Sequence, residues 1–374
     1  MKLNVVLCLV LMSVVFCSCR QSSSEIFIQK AVEIDNSNME HIQLTGQEEP
    51  AEVLGAYKLS VCDRWLIVNT SNKNAQLAIV DLDSYEILAE TCPEGSAKAD
   101  FMYPQFGVRQ FSQDADSNWL MPVLDNESKM KFVNLNRTVE NRHAVIDRTI
   151  EYEYEDMAEY SAIISDSSSF DYYGLSYQYE TDSYSSPRFV YVVDTLSSEI
   201  PVFCAIDEDM KIDYRDYRSM MKLWCYDGQL AISPDHSKAA YVMSMVDNLI
   251  LFDLDSLSST TYAFKDGFCY DDLLYARFDD PAFNSRMSIT DCFATDECLF
   301  LLYSQSERTE DGIEPEKSQV MVIDWNGNCL HSFELDQPYL GSMAYDSRKS
   351  VLYLLDPVME FIYAYDIGRY MTAE

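Results

Sequence analysis

The chain has 374 residues, and its 62 acidic and 27 basic side chains give it a formal charge of −35 at pH 7. A charge this negative argues against nucleic acid as a partner, because binding to phosphate requires basic patches; it also argues against attachment through an anionic lipid surface. Hydrophobic residues make up 48% of the chain, with 26 Tyr and 18 Phe, which supplies a large core and favours strands over helix bundles. A large negative charge keeps a protein soluble and resists association. The alternative is that it attracts a cation or a basic partner.

The first 18 residues predict a targeting segment. A single cation, Lys2, precedes an apolar run from Val5 to Phe16, which is too short to favour a spanning helix. The small residue Ser18 directly precedes Cys19, a pattern that resembles a bacterial lipobox and makes Cys19 the predicted lipidation site. The alternative is an ordinary secretory signal peptide.

Cleavage before Cys19 divides the chain into a lipoprotein signal peptide (1–18), a lipidated cysteine with a polar tether (19–24) and a folded domain (25–374). A lipid on Cys19 anchors a soluble domain to a membrane without a spanning helix. We therefore expect a lipid-anchored protein of the bacterial cell envelope, in the outer membrane; the sequence leaves the leaflet open.

Alternating apolar and polar residues between Ile26 and Leu44 predict one or two strands ahead of the main pattern. From residue 65 onward, six units follow, each with two strands separated by a loop and with a polar residue at or near the end of the second strand. These strand-end residues are Asp81, Asn134, Asp194, Asp253, Asp324 and Asp366. Repetition of short strands at this period is typical of a β-propeller. The sequence thus predicts an all-β fold, a six-bladed β-propeller of four-stranded antiparallel blades.

The strand-end residues are predicted to form turns, since a carboxylate or amide oxygen at the end of a strand accepts backbone N–H bonds from the turn that follows. The alternative is a ring of six metal ligands. We do not assign a metal to them, because they precede outer strands.

The last unit ends at Asp366 and leaves only residues 367–374, which is too little for an outer strand. We expect one of the strands between residues 26 and 44 to complete this blade and close the ring, which removes an exposed sheet edge. Deletion of residues 25–46 is then expected to destabilise the whole domain.

Three irregular segments, 151–184, 206–224 and 264–283, interrupt the repeats, and loops of this kind carry most binding sites. In the third, Tyr270, Asp271, Asp272 and Arg277 combine aromatic and charged groups that suit recognition of a sugar or peptide by stacking and hydrogen bonding. We name these four as candidate ligand-binding residues; an ordinary connection between blades is the alternative.

No motif assigns a catalytic residue, a metal or a cofactor. The four histidines form no H-x-x-x-H pattern, and G-x-S-x-G and glycine-rich phosphate loops are missing from the sequence. Eight cysteines lie beyond Cys19, and their spacing does not decide how they pair. Cys292 and Cys298 are the first pair to test, because a short hairpin brings such residues together.

Segments from residue 225 onward carry a resemblance to a known family. Ile232–Tyr241, which reads Ile-Ser-Pro-Asp-His-Ser-Lys-Ala-Ala-Tyr, resembles the Ser-Pro-Asp-Gly turn of TolB-type blades, with His236 in place of Gly. The order and spacing of Ala294–Ser304, Val322–Asn328 and Phe333–Asp336 are also similar, although Gln305 replaces an expected Gly. The chain thus resembles the TolB-like six-bladed propeller lipoproteins of Gram-negative gut anaerobes. The resemblance implies a membrane-attached propeller and no reaction.

The sequence favours a binding or scaffolding lipoprotein whose partner is an unidentified protein, peptide or glycan. The alternative is a hydrolase or lyase with a metal in the central channel. A peptidoglycan-associated partner of TolB type follows only from analogy of fold.

Overall fold

The computed structural model describes residues 31–151, 228–268 and 287–371, apart from residues 38, 107–108, 126–128, 245, 257, 266, 310–311 and 339, together with strand backbones between residues 159 and 205. Strands dominate the described residues, and two short helices accompany them, α1 (Leu135–Asn141) and α2 (Gly368–Met371).

Three short strands come first: β1 (Val32–Ile34), β2 (His41–Leu44) and β3 (Gln47–Glu48). The first sheet contains β4 (Ala56–Cys62), β5 (Trp65–Thr70), β6 (Leu77–Asp81) and β7 (Ile87–Thr91). The second contains β8 (Pro104–Gln105), β9 (Ser112–Gln113), β10 (Trp119–Asp125), β11 (Lys129–Asn134) and β12 (Ile146–Glu151). The third contains β13 (Glu159–Ile163), β14 (Asp171–Ser176), β17 (Arg188–Val192) and β18 (Val202–Ala205), and a separate hairpin contains β15 (Tyr179–Glu180) and β16 (Ser183–Tyr184).

The fourth sheet contains β19 (Gly228–Ile232), β20 (Lys238–Met243), β21 (Asn248–Asp253) and β22 (Ser258–Phe264). The fifth contains β23 (Met287–Ala294), β24 (Cys298–Thr309), β25 (Gly312–Asp324) and β26 (Cys329–Leu335). The last contains β27 (Ser342–Asp346), β28 (Val351–Asp356) and β29 (Phe361–Asp366). Within each sheet these strands pair antiparallel in chain order, with β8 and β9 both paired to β10.

Five of these sheets are the blades of one propeller. Four hydrophobic clusters join them in the order second, first, last, fifth and fourth sheet. The ring closes between the second and fourth sheets through Gln110, in the loop between β8 and β9. Its amide donates to the carbonyl oxygen of Ile232 at 3.1 Å, and its Oε1 lies 3.0 Å from His236 Nε2.

The expectation of six blades is therefore wrong. The unit that ends at Asp194 does form an antiparallel sheet, β13–β14–β17–β18. This sheet is not a blade of the ring, because Gln110 joins the second sheet directly to the fourth. Among the described residues, β18 of this sheet lies close to the outer strand β22 of the fourth sheet. A repeat of strands predicts a sheet; whether that sheet lies within the ring depends on contacts between distant residues.

The N-terminal segment, residues 31–48, forms a strap across the outer edges of three consecutive blades. The strand β1 pairs parallel with β22, and β2 pairs parallel with β26, so each becomes a fifth strand. The last blade receives its fourth strand from β3, antiparallel to β29. We expected a strand within residues 26–44 to complete the last blade. That is wrong, because β1 and β2 pair with other blades and the completing strand is β3.

Central strands are apolar on both faces because they lie between neighbouring strands and between neighbouring blades. All six residues of β5 are buried, and so are the first five of β21. The turn at His236 adopts a φ of 61°, so this residue takes the left-handed conformation of the Gly that it replaces. Histidine tolerates that region better than bulky or β-branched residues do.

The described cysteines carry free thiols. Cys292 lies opposite Leu301 on β24, whereas Cys298 lies opposite Asp324 on β25, so the hairpin does not bring the two together. Cys62, Cys92, Cys292 and Cys298 are buried and Cys329 is half-buried, as expected of small hydrophobic side chains. Within the described parts of the chain, no helix is both long and apolar enough to cross a membrane.

Candidate functional site

A cavity of about 440 Å³ occupies the centre of the ring. Its wall is formed by the innermost strands β4, β19, β23 and β27, by the turns that follow them, and by the loop between β8 and β9. All five blades therefore contribute to one cavity, whose volume falls in the range of small-molecule sites.

Bulges in two innermost strands place charged side chains near the cavity. The pairing of β4 with β5 shifts register between Ala56 and Lys58, and the pairing of β23 with β24 shifts between Ile289 and Asp291. A bulge redirects the side chains that follow it. Lys58 consequently lines the cavity, and Asp291 lies directly behind its wall.

A channel network of Arg109, Asp291 and Ser342 ties four blades together. Arg109 Nη2 lies 2.5 Å from Asp291 Oδ2, and its Nη1 donates to the carbonyl oxygen of Cys292 at 2.7 Å. The Ser342 hydroxyl donates to Asp291 Oδ2 at 2.9 Å and accepts the backbone N–H of Leu59 at 3.0 Å. The side chain of Asp291 is 2% exposed and that of Arg109 is 9% exposed, so this ion pair is held inside the protein.

The charges of the network set the pKa of Asp291. Burial alone raises the pKa of this carboxyl, but the positive charges of Arg109 and Lys58, together with hydrogen bonds from Arg109 and from the backbone N–H of Met343, hold it below its ordinary value. Asp291 is therefore ionised at neutral pH, and it neutralises Arg109.

Lys58 has no such partner. No described residue forms a hydrogen bond or an ion pair with its ammonium group, and Arg109 Nε is likewise buried without a partner among the described residues. Burial, and then the nearby charge of Arg109, lower the pKa of Lys58, although Asp291 acts in the opposite direction. The half-buried Lys58 is thus the cation of the cavity wall without a carboxylate of its own.

The remaining ionic groups of the wall, Arg348, Asp346 and Asp63, lie close to one another. Arg348 Nη2 donates to Asp346 Oδ2 at 2.9 Å, and Arg348 Nε donates to Asp346 Oδ1 at 3.1 Å. Asp63 lies at the rim, 4.0 Å from Arg348. Aromatic side chains complete the wall: Phe111, Trp119, Tyr241, Phe293 and Tyr345. The cavity thus combines flat apolar surfaces with one unpaired cation.

The thiol of Cys292, also in the wall, is not a nucleophile at neutral pH. Burial and the nearby charge of Asp291 raise its pKa to about 12, and the thiolate is the reactive form. The described wall therefore offers recognition groups, and no pair of a nucleophile and a base lies within hydrogen-bonding distance there.

Divalent cations fit this wall poorly. Among the described residues, no three His, Cys, Asp or Glu side chains come together in a way that could hold a metal ion. The ammonium group of Lys58, which has no carboxylate partner, repels a cation that approaches it.

The five described strand-end residues, Asp81, Asn134, Asp253, Asp324 and Asp366, are the last residues of their strands and do not line the cavity. Their side chains accept backbone N–H bonds. The donors are Asp83 and Ser84 for Asp81, Arg137 for Asn134, Ser256 for Asp253, Asn326 and Asn328 for Asp324, and Gly368 for Asp366. Asn134 also caps the helix α1. Asp194 lies outside the described residues.

The four candidate ligand-binding residues, Tyr270, Asp271, Asp272 and Arg277, also lie outside the described residues, as does the predicted lipidation site, Cys19. The cavity residues Lys58, Arg109 and Asp291 were missed by sequence reasoning. A lysine within a mostly apolar first strand was the available signal for Lys58, and an aspartate inside the mostly apolar stretch Ile289–Ala294 was the signal for Asp291.

No family model and no curated protein matches this chain. Among solved structures it is similar to hydrazine synthase from Kuenenia stuttgartiensis (12% identity, 87% of this chain, 82% of the other, TM-score 0.41). It is also similar to the β-propeller domain of Cps50 from Myceliophteria thermophila (9% identity, 86% and 100%, TM-score 0.41) and to the calcium-binding protein regucalcin from Agrobacterium tumefaciens (10% identity, 87% and 95%, TM-score 0.41). Identities this low carry no information on ligand or activity.

Proposed function

We propose that this protein is a ligand-binding lipoprotein of TolB-like type, a five-bladed propeller held at a membrane of the cell envelope by a lipid on Cys19. The observation that supports binding is the central cavity, which is lined by all five blades and carries the uncompensated charge of Lys58. The pairing of an apolar run with Ser18-Cys19 supports the anchor.

The cavity has the character of a binding site because its polar groups are few and fixed. Arg109 is held by three partners, Asp291, Cys292 and Ser342, and Asp346 is fully buried under Arg348. Rigid polar groups in an aromatic wall orient a ligand at a small cost in conformational entropy.

Fractionation of cells that express the full-length chain tests the anchor. The wild type is expected in the membrane fraction, and Cys19→Ala is expected to move it to the soluble fraction or leave an unprocessed precursor. Cys17→Ala is the matched control, because Phe16 before it does not suit cleavage, and it should leave the distribution unchanged. Membrane attachment of a processed Cys19→Ala protein contradicts the anchor.

A blocked cavity tests binding. Ser347 is exposed and lies in the wall, so Ser347→Trp places an indole at the entrance. After incubation with a small-molecule extract of the source cells, native mass spectrometry should show bound mass on the wild type and none on Ser347→Trp. The control Ser256→Trp changes an exposed turn on the outside of a blade and should retain the ligand. Equal occupancy of all three proteins contradicts the assignment of the cavity.

A further inference from the structure

We propose that the central cavity selects a small monocarboxylate with an aromatic body, and that Lys58 pairs with its carboxylate. This inference rests on the proposed function, because it names the chemistry of the ligand that the cavity takes. It follows from the charges and surfaces of the wall.

One cation of the described wall, Lys58, lies without a carboxylate in hydrogen-bonding contact. Arg109 is neutralised by Asp291 and Arg348 by Asp346, through contacts of 2.5 and 2.9 Å. Lys58 has no described acceptor, and Asp63, at the rim, is the remaining acidic group of the described wall. An anion beside Lys58 supplies the negative charge that this ammonium group lacks.

The number of charges favours a carboxylate over a phosphate. One unpaired ammonium matches a single negative charge, whereas a phosphate dianion would bring a second charge close to Asp291 and Asp346. The Nη groups of Arg109 are already used by Asp291, Cys292 and Ser342, so the forked guanidinium contact that phosphate prefers is not available.

The wall also selects the body of the ligand. Trp119, Phe111, Tyr345 and Phe293 line the cavity, and aromatic rings pack well against one another in stacked or edge-on arrangements. A neutral sugar would satisfy the rings but leave Lys58 without a partner.

The pKa of Lys58 agrees with a role in binding. Burial lowers it, which means that the folded protein disfavours the charged form of this side chain. Loss of the ammonium should therefore leave the thermal stability of the empty protein unchanged or raise it, whereas it should weaken binding. A residue with a purely structural role would show the opposite effect on stability.

Isothermal titration calorimetry with indole-3-acetate and its neutral analogue indole-3-acetamide tests the proposal. The wild type should bind the carboxylate about tenfold or more tightly than the amide, the ratio expected for one hydrogen-bonded charge pair. Lys58→Met should reduce that ratio to about one without lowering the melting temperature. The control Lys73→Met removes the same charge from an exposed residue that pairs with Glu94 outside the cavity, and it should retain the wild-type ratio.

The outcomes separate this proposal from the proposed function. If the carboxylate and the amide bind equally, or if Lys58→Met keeps the preference, the carboxylate class is wrong. If either result is found and Ser347→Trp still abolishes binding of both probes, the cavity remains a binding site. Failure of the wild type to bind either probe overturns the present proposal, while the experiment with the cell extract decides the proposed function independently.

Discussion

Asp125 and Lys131 form a second buried ion pair, on neighbouring strands of the second blade. Lys131 Nζ lies 2.7 Å from Asp125 Oδ2, and the two side chains are 9% and 3% exposed. Asp125 Oδ1 also accepts the backbone N–H groups of Met102 and Tyr103. The pair therefore holds the chain that enters this blade as well as the hairpin itself.

Removal of one member should be strongly destabilising. Lys131→Met leaves the carboxylate of Asp125 buried without a cation, and we expect the free energy of unfolding to fall by about 3–5 kcal/mol. Lys129, two residues earlier, pairs with Glu151 at the surface, so Lys129→Met should cost at most about 1 kcal/mol. Urea unfolding of both variants measures the difference, and equal losses would contradict the prediction.

The channel network makes stability depend on pH through Asp291. Its pKa in the folded protein lies below its ordinary value, so the folded state binds this proton less readily than the unfolded state. Its contribution is present above the unfolded pKa of about 3.9 and is lost as the pH falls through the folded pKa.

Asp291→Asn should therefore be less stable than the wild type at pH 7, by about 3–5 kcal/mol, because Arg109 stays buried without its carboxylate. The difference should narrow as the pH falls below about 4, where the wild type begins to lose the same charge. Urea unfolding at several pH values measures this, with Asp116→Asn in an exposed turn as the control. A difference that stays constant with pH would exclude Asp291 as the source.

At the scale of elements, the sequence did not predict that β1, β2 and β3 pair with three different blades. We call residues 31–48, which contain them, the strap. Its anchoring side chains are Ile34 and Leu44, which are 4% and 7% exposed and lie in two different hydrophobic clusters. An ion pair of 2.8 Å between Asp35 and Lys265 accompanies the first of them. The strap thus attaches the segment after the predicted lipid anchor to three blades.

Ile34→Ala should lower the free energy of unfolding by about 2–5 kcal/mol, the usual loss for a buried aliphatic side chain. Val32 lies on the same strand and is 50% exposed, so Val32→Ala should change stability by about 0.5 kcal/mol or less. Thermal unfolding of the two variants distinguishes them. If Ile34→Ala behaves like Val32→Ala, the strap does not contribute to the stability of the ring, and deletion of residues 25–46 should then be harmless.

Local patterns explain what the sequence predicted correctly. The second and third strands of most blades, such as β5 with β6 and β28 with β29, were recognisable because their apolar runs are short, bounded by turns and paired with a neighbour in sequence. At the ends of such strands, Asp81, Asp253 and Asp324 accept backbone N–H bonds from the residues that follow them.

Contacts between distant residues explain what the sequence did not predict. The number of blades depends on Gln110 meeting Ile232 and His236, more than 100 residues away. The cavity depends on bulges before Lys58 and Asp291, and neither β4 nor β23 contains a Gly or Pro that would indicate one. The strap pairs parallel with strands of blades far along the chain, and alternation within residues 26–44 specifies no partner.

At the scale of the whole molecule, the surface and the cavity act in opposite directions on a carboxylate ligand. The formal charge of −35 repels an anion at long range, whereas Lys58 attracts it once it has entered the cavity. Screening distinguishes the two effects, because the Debye length falls from about 30 Å at 0.01 M salt to about 8 Å at 0.15 M.

Added salt should therefore speed the association of indole-3-acetate rather than slow it. Between 0.01 and 0.15 M NaCl we expect the association rate constant to rise by roughly tenfold, the lower end of the range for electrostatic effects on encounter. The dissociation rate constant should change less, since the contact with Lys58 is partly buried and weakly screened. Surface plasmon resonance with the protein immobilised can follow both rates. Indole-3-acetamide, which is neutral, should associate at the same rate at every salt concentration. If added salt slows the association of the carboxylate, the entrance of the cavity is positively charged and the acidic surface does not control access.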